Sequence, residues 1–337
     1  MLLKELTNLS GVSGNEKKVR EFIISQISDY CDKIEIDSIG NIIALKKGKQ
    51  DKKVMLAAHM DEVGFIISDI TDKGFLKFKT VGGIDTRTIL AKRLKIGENE
   101  VLGVIGMKAV HLQKKSERDN VPEIRDLYID IGAKDKESAE KLVRLGDYAV
   151  FDTEYEKLGE NTVKAKAIDD RAGCAVLIEL MKKPQKYDTY FCFTTQEEVG
   201  LRGARLAAYK IKPDISLVIE ATSCSDVYGF EPYESVTKMG AGAAVTFMDR
   251  TTIVDDTLRK KIFEMGKAAK IPVQYKSSTS GGNDAGRIHI SGEGIRTAVI
   301  SLPCRYIHSC ASVASLTDFA AVKNLAELFL ERIDEVL

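Results

Sequence analysis

Residues 190–204 read Tyr190-Phe191-Cys192-Phe193-Thr194-Thr195-Gln196-Glu197-Glu198-Val199-Gly200-Leu201-Arg202-Gly203-Ala204. A short apolar and aromatic run gives way to two adjacent carboxylates, a glycine and the opening of a helical pattern. Such a run, bounded by a polar turn, fits a buried strand feeding a helix. Two neighbouring carboxylates at the C-terminal end of a buried strand repel each other unless protons or cations compensate. In open α/β sheets, those strand ends are where sites gather.

Working outward, the same alternation recurs. Strands are predicted at Gly40–Leu45, Val54–Ala58, Val163–Ile168, Ile215–Ile219, Ala243–Phe247, Val273–Tyr275 and Thr297–Ser301. Helices are predicted near Asp170–Met181, Leu201–Tyr209, Thr257–Ala269 and Asp318–Val336. This alternation argues for an α/β/α sandwich with a mixed, mostly parallel sheet. A first helix is expected to start at Ser13, where Ser13 and Glu16 have the spacing of a capping box and Val19, Phe22, Ile23 and Ile27 recur at helical intervals.

The texture changes between about Gly64 and Gly159. Short segments (Phe65–Ile67, Phe75–Phe78, Lys92–Ile96, Val101–Ile105) are separated by Asp-Lys-Gly, Gly-Gly and Gly-Glu-Asn turns. They predict a small, mainly antiparallel, barrel-like β unit with one helix near Ser138–Leu145. The expected organisation is a discontinuous catalytic domain, residues 1–63 and 160–337, interrupted by an inserted β domain, residues 64–159.

Composition narrows the function. The 337 residues carry 50 basic and 50 acidic side chains, a balance that gives no sign of a nucleic-acid or membrane-surface partner. No stretch approaches the roughly 20 apolar residues of a membrane span. An acidic residue at Glu5 and the lack of a long apolar core argue against a signal peptide. Six cysteines without CxxC spacing read as reduced thiols, so a cytoplasmic protein is expected.

The chain has four histidines. His59 ends the run Val54–Ala58, and Asp61 falls two residues on, on the same face of an extended segment. Asp61 is placed to accept from one imidazole nitrogen while the other binds a cation. The plainer alternative is a hydrogen-bonded histidine at the end of a buried strand. Asp169 and Asp170 open an apolar helix, as metal ligands or as an N-cap and a dipole partner. Glu220 closes another strand, and His308 follows a third. Together, two imidazoles and several carboxylates at the ends of apolar runs match oxygen and nitrogen ligation of zinc, cobalt or manganese. His111, His289, Arg87, Arg202 and Arg205 are expected in structural or solvated roles.

The segments Ala58-His59-Met60-Asp61-Glu62-Val63-Gly64-Phe65, Asp169-Asp170-Arg171, Gln196–Ala204 and Arg305-Tyr306-Ile307-His308-Ser309 closely resemble the tetrahedral and glutamyl aminopeptidases, a family of co-catalytic dinuclear metallopeptidases. Gly82-Gly83-Ile84-Asp85 and Gly281–Gly286 extend the likeness over essentially the whole chain. The resemblance implies two divalent ions per subunit, with Asp169 bridging them. His59 and Glu220 would complete one ion, Glu198 and His308 the other. It also implies Glu197 as general base, Asp61 orienting His59, a cis peptide at Asp169-Asp170, peptide substrates, and a homo-oligomer from dimer to tetrahedral dodecamer assembled through the β insertion.

Two cations about 3.5–4 Å apart can hold a water or hydroxide between them and polarise a scissile carbonyl. Glu197 would take that water's proton and hand it to the leaving amine. Two departures stand out. Many relatives have aspartate in place of Glu220, and many carry proline and glutamate where this chain has Cys310 and Ser312, which leaves open what supports His308. Other expectations for the same residues are a dinuclear deacylase or carboxypeptidase, or an inactive cage-forming scaffold. A glycosidase wants paired carboxylates without metal ligands, and the two histidines speak against it.

Overall fold

The computed structural model describes residues 1–337 apart from the side chain of Pro232. Eleven strands form one mixed sheet. Its middle is parallel, in the order Tyr187–Thr194, Gln50–His59, Ile215–Ser223, Arg296–Arg305. Antiparallel strands flank it: Lys33–Ile36 and Ile42–Lys46 on one side, Ser312–Ser315, Thr162–Ala165 and Glu156–Leu158 on the other. Ala243–Thr246 lies antiparallel to Arg296–Arg305 and carries the edge strand Val273–Lys276 in parallel.

Both faces of this sheet are buried, which is why its strands read as continuous apolar runs. Val54, Leu56 and Ala58 pack with Phe191, Phe193, Leu217 and Ile219 against Leu2–Asn8, Lys17–Ile27, Ile168–Met181, Asp256–Ala268 and Leu316–Glu331. Met55, Ala57, Cys192 and Val218 point the other way, towards Arg202–Ile211 and the short helix Ala285–Ile288. The second cover is thin, and its gap holds the site.

Six antiparallel strands between Gly64 and Phe151 close into a separate barrel, in the order Gly64–Ile70, Leu76–Val81, Leu127–Asp130, Val101–Met107, Arg93–Ile96, Tyr148–Phe151. It has its own core, in which Phe65 meets Phe78 and Phe151 edge-on at 5.3 Å. The sandwich and the barrel-like insert are thus both present.

Three local expectations need correction. The first amphipathic helix is Lys17–Ile27, with Glu16 rather than Ser13 at its N-cap and no side-chain cap. Gly14 turns the chain with a positive φ of 88°, and Ser13 and Glu16 are drawn towards the site instead. The helix expected at Ser138–Leu145 is the single turn Lys136–Glu140, capped by Asp135. Glu220 lies within its strand, which runs on to Ser223 because Arg296–Arg305 supplies hydrogen bonds as far as Cys304.

Arg171 ties the layers together. Fully buried, it donates to the carbonyls of Met60 and Leu6, each at 2.7 Å, and of Leu9 at 3.2 Å, and it meets Glu62 at 3.3 Å. One guanidinium therefore satisfies carbonyls from the first helix and from the turn after His59. Removing it strands those acceptors in the core, so Arg171→Ala is expected to cost roughly 3–5 kcal/mol, read as a lower urea midpoint.

Candidate metal centre

Strand register brings the first two site residues together. Val218 pairs with Ala57, so two residues on, Glu220 and His59 emerge side by side on the thinly covered face. Thr194 pairs with His59, and the chain then turns to present Glu197 and Glu198. This turn needs left-handed backbone at Gln196, Gly200 and Leu201. Asn41 holds it, accepting from Thr195 N at 2.9 Å and donating to the Gly203 carbonyl at 3.0 Å. A Cβ on Gly203 would lie 2.3 Å from Asn41 Oδ1, so only glycine permits that approach. Asp169 enters at the first turn of Ile168–Met181, through a cis peptide to Asp170. His308 follows Arg296–Arg305 on a loop with positive φ at Tyr306 and His308.

All five candidate ligands converge. Asp169 Oδ1 lies 3.2 Å from His59 Nε2, and Asp169 Oδ2 lies 3.5 Å from His308 Nε2. Glu220 Oε1 is 3.5 Å from His59 Nε2, and Glu198 Oε2 is 3.2 Å from His308 Nε2. Asp169 thus shows one oxygen to each histidine–glutamate pair. Glu197 Oε2 stands 3.9 Å from His59 Nε2, facing the same space. His59 Nδ1 meets the Asp61 carbonyl at 3.1 Å and the Asp61 carboxylate at 3.4 Å. A carbonyl only accepts, so Nδ1 carries a proton, and Nε2 is the nitrogen that faces the centre, able to ligate a cation once its own proton is lost.

The electrostatics are those of acids crowded out of water. Burial, with Asp169 nearby, pushes Glu220 up to about 8. Burial likewise raises Glu198 to about 7 and takes Glu197 well above the usual carboxylate range. Burial alone would lower both imidazoles, but the surrounding carboxylates prevail, lifting His308 to about 9 and His59 well above its ordinary value. Burial alone would raise Asp169 too, yet the two imidazoles hold it well below the ordinary range. In addition, Asp170 Oδ2 is buried without a hydrogen-bond partner among the described residues. Two imidazoles, several carboxylates and an orphaned oxygen suit divalent cations with nitrogen and oxygen ligands. The donor groups fall into overlapping sets close enough to share an ion, among them His59 with Asp169 and Glu198, and His59 with Glu197 and Glu220.

Supporting residues that motif spacing did not reveal surround this cluster. The Asp61 carboxylate accepts the amides of Glu197 and Glu198 at 3.0 and 3.1 Å and the Ser13 hydroxyl at 2.6 Å. One buried acid therefore both backs His59 and pins the acidic turn. Lys166, fully buried and lowered by burial to about 8, meets Glu62 at 2.8 Å. Glu62 and Arg171 stand inside the quoted motifs, so their presence was visible although their pairing was not. Thr194 donates to Asp284 Oδ2 at 2.5 Å. Behind His308, in place of a carboxylate, is the Gly82-Gly83 turn of the barrel. A Cβ at Gly83 would lie 3.6 Å from His308 Nδ1, and one at Gly82 would lie 3.3 Å from Glu198 Cβ and clash with Val63 at 2.8 Å. Ser312 turns its hydroxyl to the Tyr306 carbonyl at 3.4 Å.

The remaining candidates lie elsewhere. His289 Nδ1 donates to the Ala285 carbonyl at 2.8 Å, and His111 is exposed on a 3-10 turn. Arg87 pairs with Asp85, and Arg202 donates to Gln196 Oε1 at 3.2 Å. All six cysteines are free thiols. Among the described residues no helix is long and apolar enough to cross a membrane.

Fold and donor set together define an α/β protein built to hold divalent cations. The family model described as M42 glutamyl aminopeptidase matches residues 40–325. A putative aminopeptidase of Acetivibrio thermocellus is 43% identical over 98% of this chain and 97% of its own length. The lysyl aminopeptidase of Pyrococcus furiosus is 31% identical, covering 98% and 96%. A solved TET1 peptidase of Pyrococcus horikoshii, described as assembling into a tetrahedron or a large octahedral shell, superposes with a TM-score of 0.87 at 33% identity, covering 97% and 98%. The chain belongs to the M42 family and is a hydrolase, an aminopeptidase.

Cation loading must expel the protons held by Glu198, Glu220, His308 and His59. Below about pH 9 those protons compete, so metal affinity is expected to rise as pH increases from about 6 to 9. Calorimetric zinc titrations in buffers of different ionisation enthalpy should report net proton release. Binding without proton release would contradict this electrostatic picture.

Proposed function

We propose that the chain removes N-terminal residues from peptides with two divalent cations, held by His59, Asp169 and Glu220 on one side and by Asp169, Glu198 and His308 on the other. The observation that carries this reading is the split of Asp169, whose two oxygens face two separate histidine–glutamate pairs. Zinc or cobalt, with manganese next, suits these donors. When bound, such a pair of cations supplies Lewis acidity towards a carbonyl and acidifies water towards a pKa of about 7.

Glu197 belongs to neither pair, and its carboxylate faces the space between them. It is placed to take a proton from the attacking water and return it to the departing amine. Asp61 fixes the direction of His59 and the position of the Glu197 amide at once. A chain of balanced formal charge and a set of unpaired thiols fit a cytoplasmic enzyme.

Self-association is part of the same reading. Leu102 and Val104 expose their side chains side by side on one barrel strand, and Leu142 and Leu145 are exposed near the barrel's short helix. Apolar groups gathered on one module suit a subunit interface, in keeping with the assembly described for the Pyrococcus horikoshii relative. Mass photometry is expected to give multiples of the 37.2 kDa chain. A monomer at micromolar concentration would contradict this.

Glu197→Gln should retain both cations by elemental analysis while kcat on aminoacyl-anilides falls on the order of 10²–10⁴-fold. A near-native rate would remove Glu197 from the base's role. Chelation should abolish turnover and added zinc or cobalt should restore it. Activity that survives exhaustive chelation would sink the metal-dependent reading.

A further inference from the structure

The cavity that holds the metal cluster, about 360 Å³, is lined by His59 and Glu220 and also by Ser223 and Val236. Between Ser223 and Val236 the chain leaves the sheet as an arm, and the base of that arm is fastened. Arg305 grips the Asp226 carboxylate through two nitrogens, each at 2.8 Å, and the Met239 amide donates to it at 3.1 Å. Thr237 donates its hydroxyl to the Ser223 carbonyl at 2.8 Å. Ser277 donates its amide to the Val236 carbonyl at 3.0 Å. The base is thus tied both to Ile215–Ser223, the strand bearing Glu220, and to the end of the edge strand Val273–Lys276.

The tip is held by nothing outside itself. Among the described residues, 227–234 make hydrogen bonds only with one another, and none of them forms an ion pair. Tyr228 is fully exposed, Tyr233 is 82% exposed and Phe230 53%. Glu231 and Glu234 are exposed beside them. The stretch Tyr228–Glu234 therefore offers three aromatic rings and two carboxylates without a single cation. Rings gathered in water on one projecting segment mark a binding surface. The complementary chemistry is a long side chain ending in a planar cation. A guanidinium stacks on aromatic faces and pairs with carboxylates, so arginine suits both halves of this arm.

We infer that this arm is a subsite for the part of the peptide downstream of the scissile bond, and that it favours an arginine three to five residues from the substrate's N-terminus. This rests on the aminopeptidase reading, with the reaction at the metal cluster. In an exopeptidase the first residue stops at that cluster and the remaining chain runs out of the cavity. Ser223 lies three residues beyond Glu220, about 10 Å along the strand. An extended peptide covers the same distance in about three residues. The arm therefore begins where the third or fourth residue of a substrate emerges, beyond the reach of a dipeptide. A second copy of this chain is the competing occupant. The root of the arm lines the substrate cavity, whereas the exposed aliphatic groups suited to self-association, Leu102 and Val104, lie on the barrel. Continuity with the cavity and the charge of the arm favour the peptide.

The test is a position scan with the metal-loaded, full-length enzyme. Each substrate is a pentapeptide amide whose first residue is the one best released from aminoacyl-anilides, followed by glycines. Arginine or glutamate then replaces each glycine in turn. Arginine at the third to fifth residue is expected to raise kcat/KM about tenfold over the all-glycine peptide. At the second residue it should matter least, and glutamate should give no gain at any position. Tyr228→Ala combined with Phe230→Ala and Tyr233→Ala should bring the arginine-to-glycine ratio close to one. Glu231→Gln with Glu234→Gln should lower that ratio part of the way. No arginine preference in the native enzyme, or a preference that survives the triple substitution, overturns the inference. So does a triple variant that keeps the ratio but forms a smaller assembly by mass photometry, which would make the arm a contact between copies. Anilides separate the two readings, since they have no downstream residues. Turnover of anilides without an arginine preference removes only the subsite, whereas turnover of no anilide and no peptide removes the aminopeptidase reading as well.

Discussion

Mutual repulsion among Asp169, Glu197, Glu198 and Glu220 is the constraint on which the rest of the site depends. These carboxylates share a pocket with two imidazoles where little water can screen them. At such separations, and with reduced screening, like charges oppose one another strongly. Without cations the cluster holds protons instead, as the upward shifts of Glu198 and Glu220 express. The sequence keeps these acids where simple stability would favour apolar residues, and divalent ions are the compensation their geometry suits.

The surrounding fold serves that compensation. A parallel sheet places His59 and Glu220 in register on the one face where helical cover is thin. Asp61 fixes the histidine and the acidic turn with a single carboxylate. Arg171, Glu62 and Lys166 tie the segment after His59 to the segment before Asp169 through a buried ionic network. Such networks contribute less to net stability than to the uniqueness of an arrangement. Here two segments of the candidate site more than a hundred residues apart in sequence are held in one relation. The barrel closes the site from the other side through Gly82 and Gly83, so it borders the chemistry as well as offering an apolar surface.

Much of this was legible in the chain itself. Val54–His59 and Tyr190–Thr194 announce themselves because strands buried on both faces leave continuous apolar runs, and a charged residue at the end of one has few structural uses. The antiparallel insert was visible in its turn residues. What stayed hidden came from long-range packing. Ser13 and Glu16 have the spacing of a capping box, but a tertiary hydrogen bond to Asp61 claims the serine. The strand bearing Glu220 reads as ending there, whereas pairing with its neighbour carries it three residues further.

The most direct measurement is anomalous diffraction at the zinc edge from crystals of the zinc-loaded enzyme. The account predicts two peaks per chain about 3.5–4 Å apart, one beside His59 and Glu220, one beside Glu198 and His308, with the Asp169 carboxylate between them. One peak at saturating zinc, or peaks away from Asp169, would contradict it.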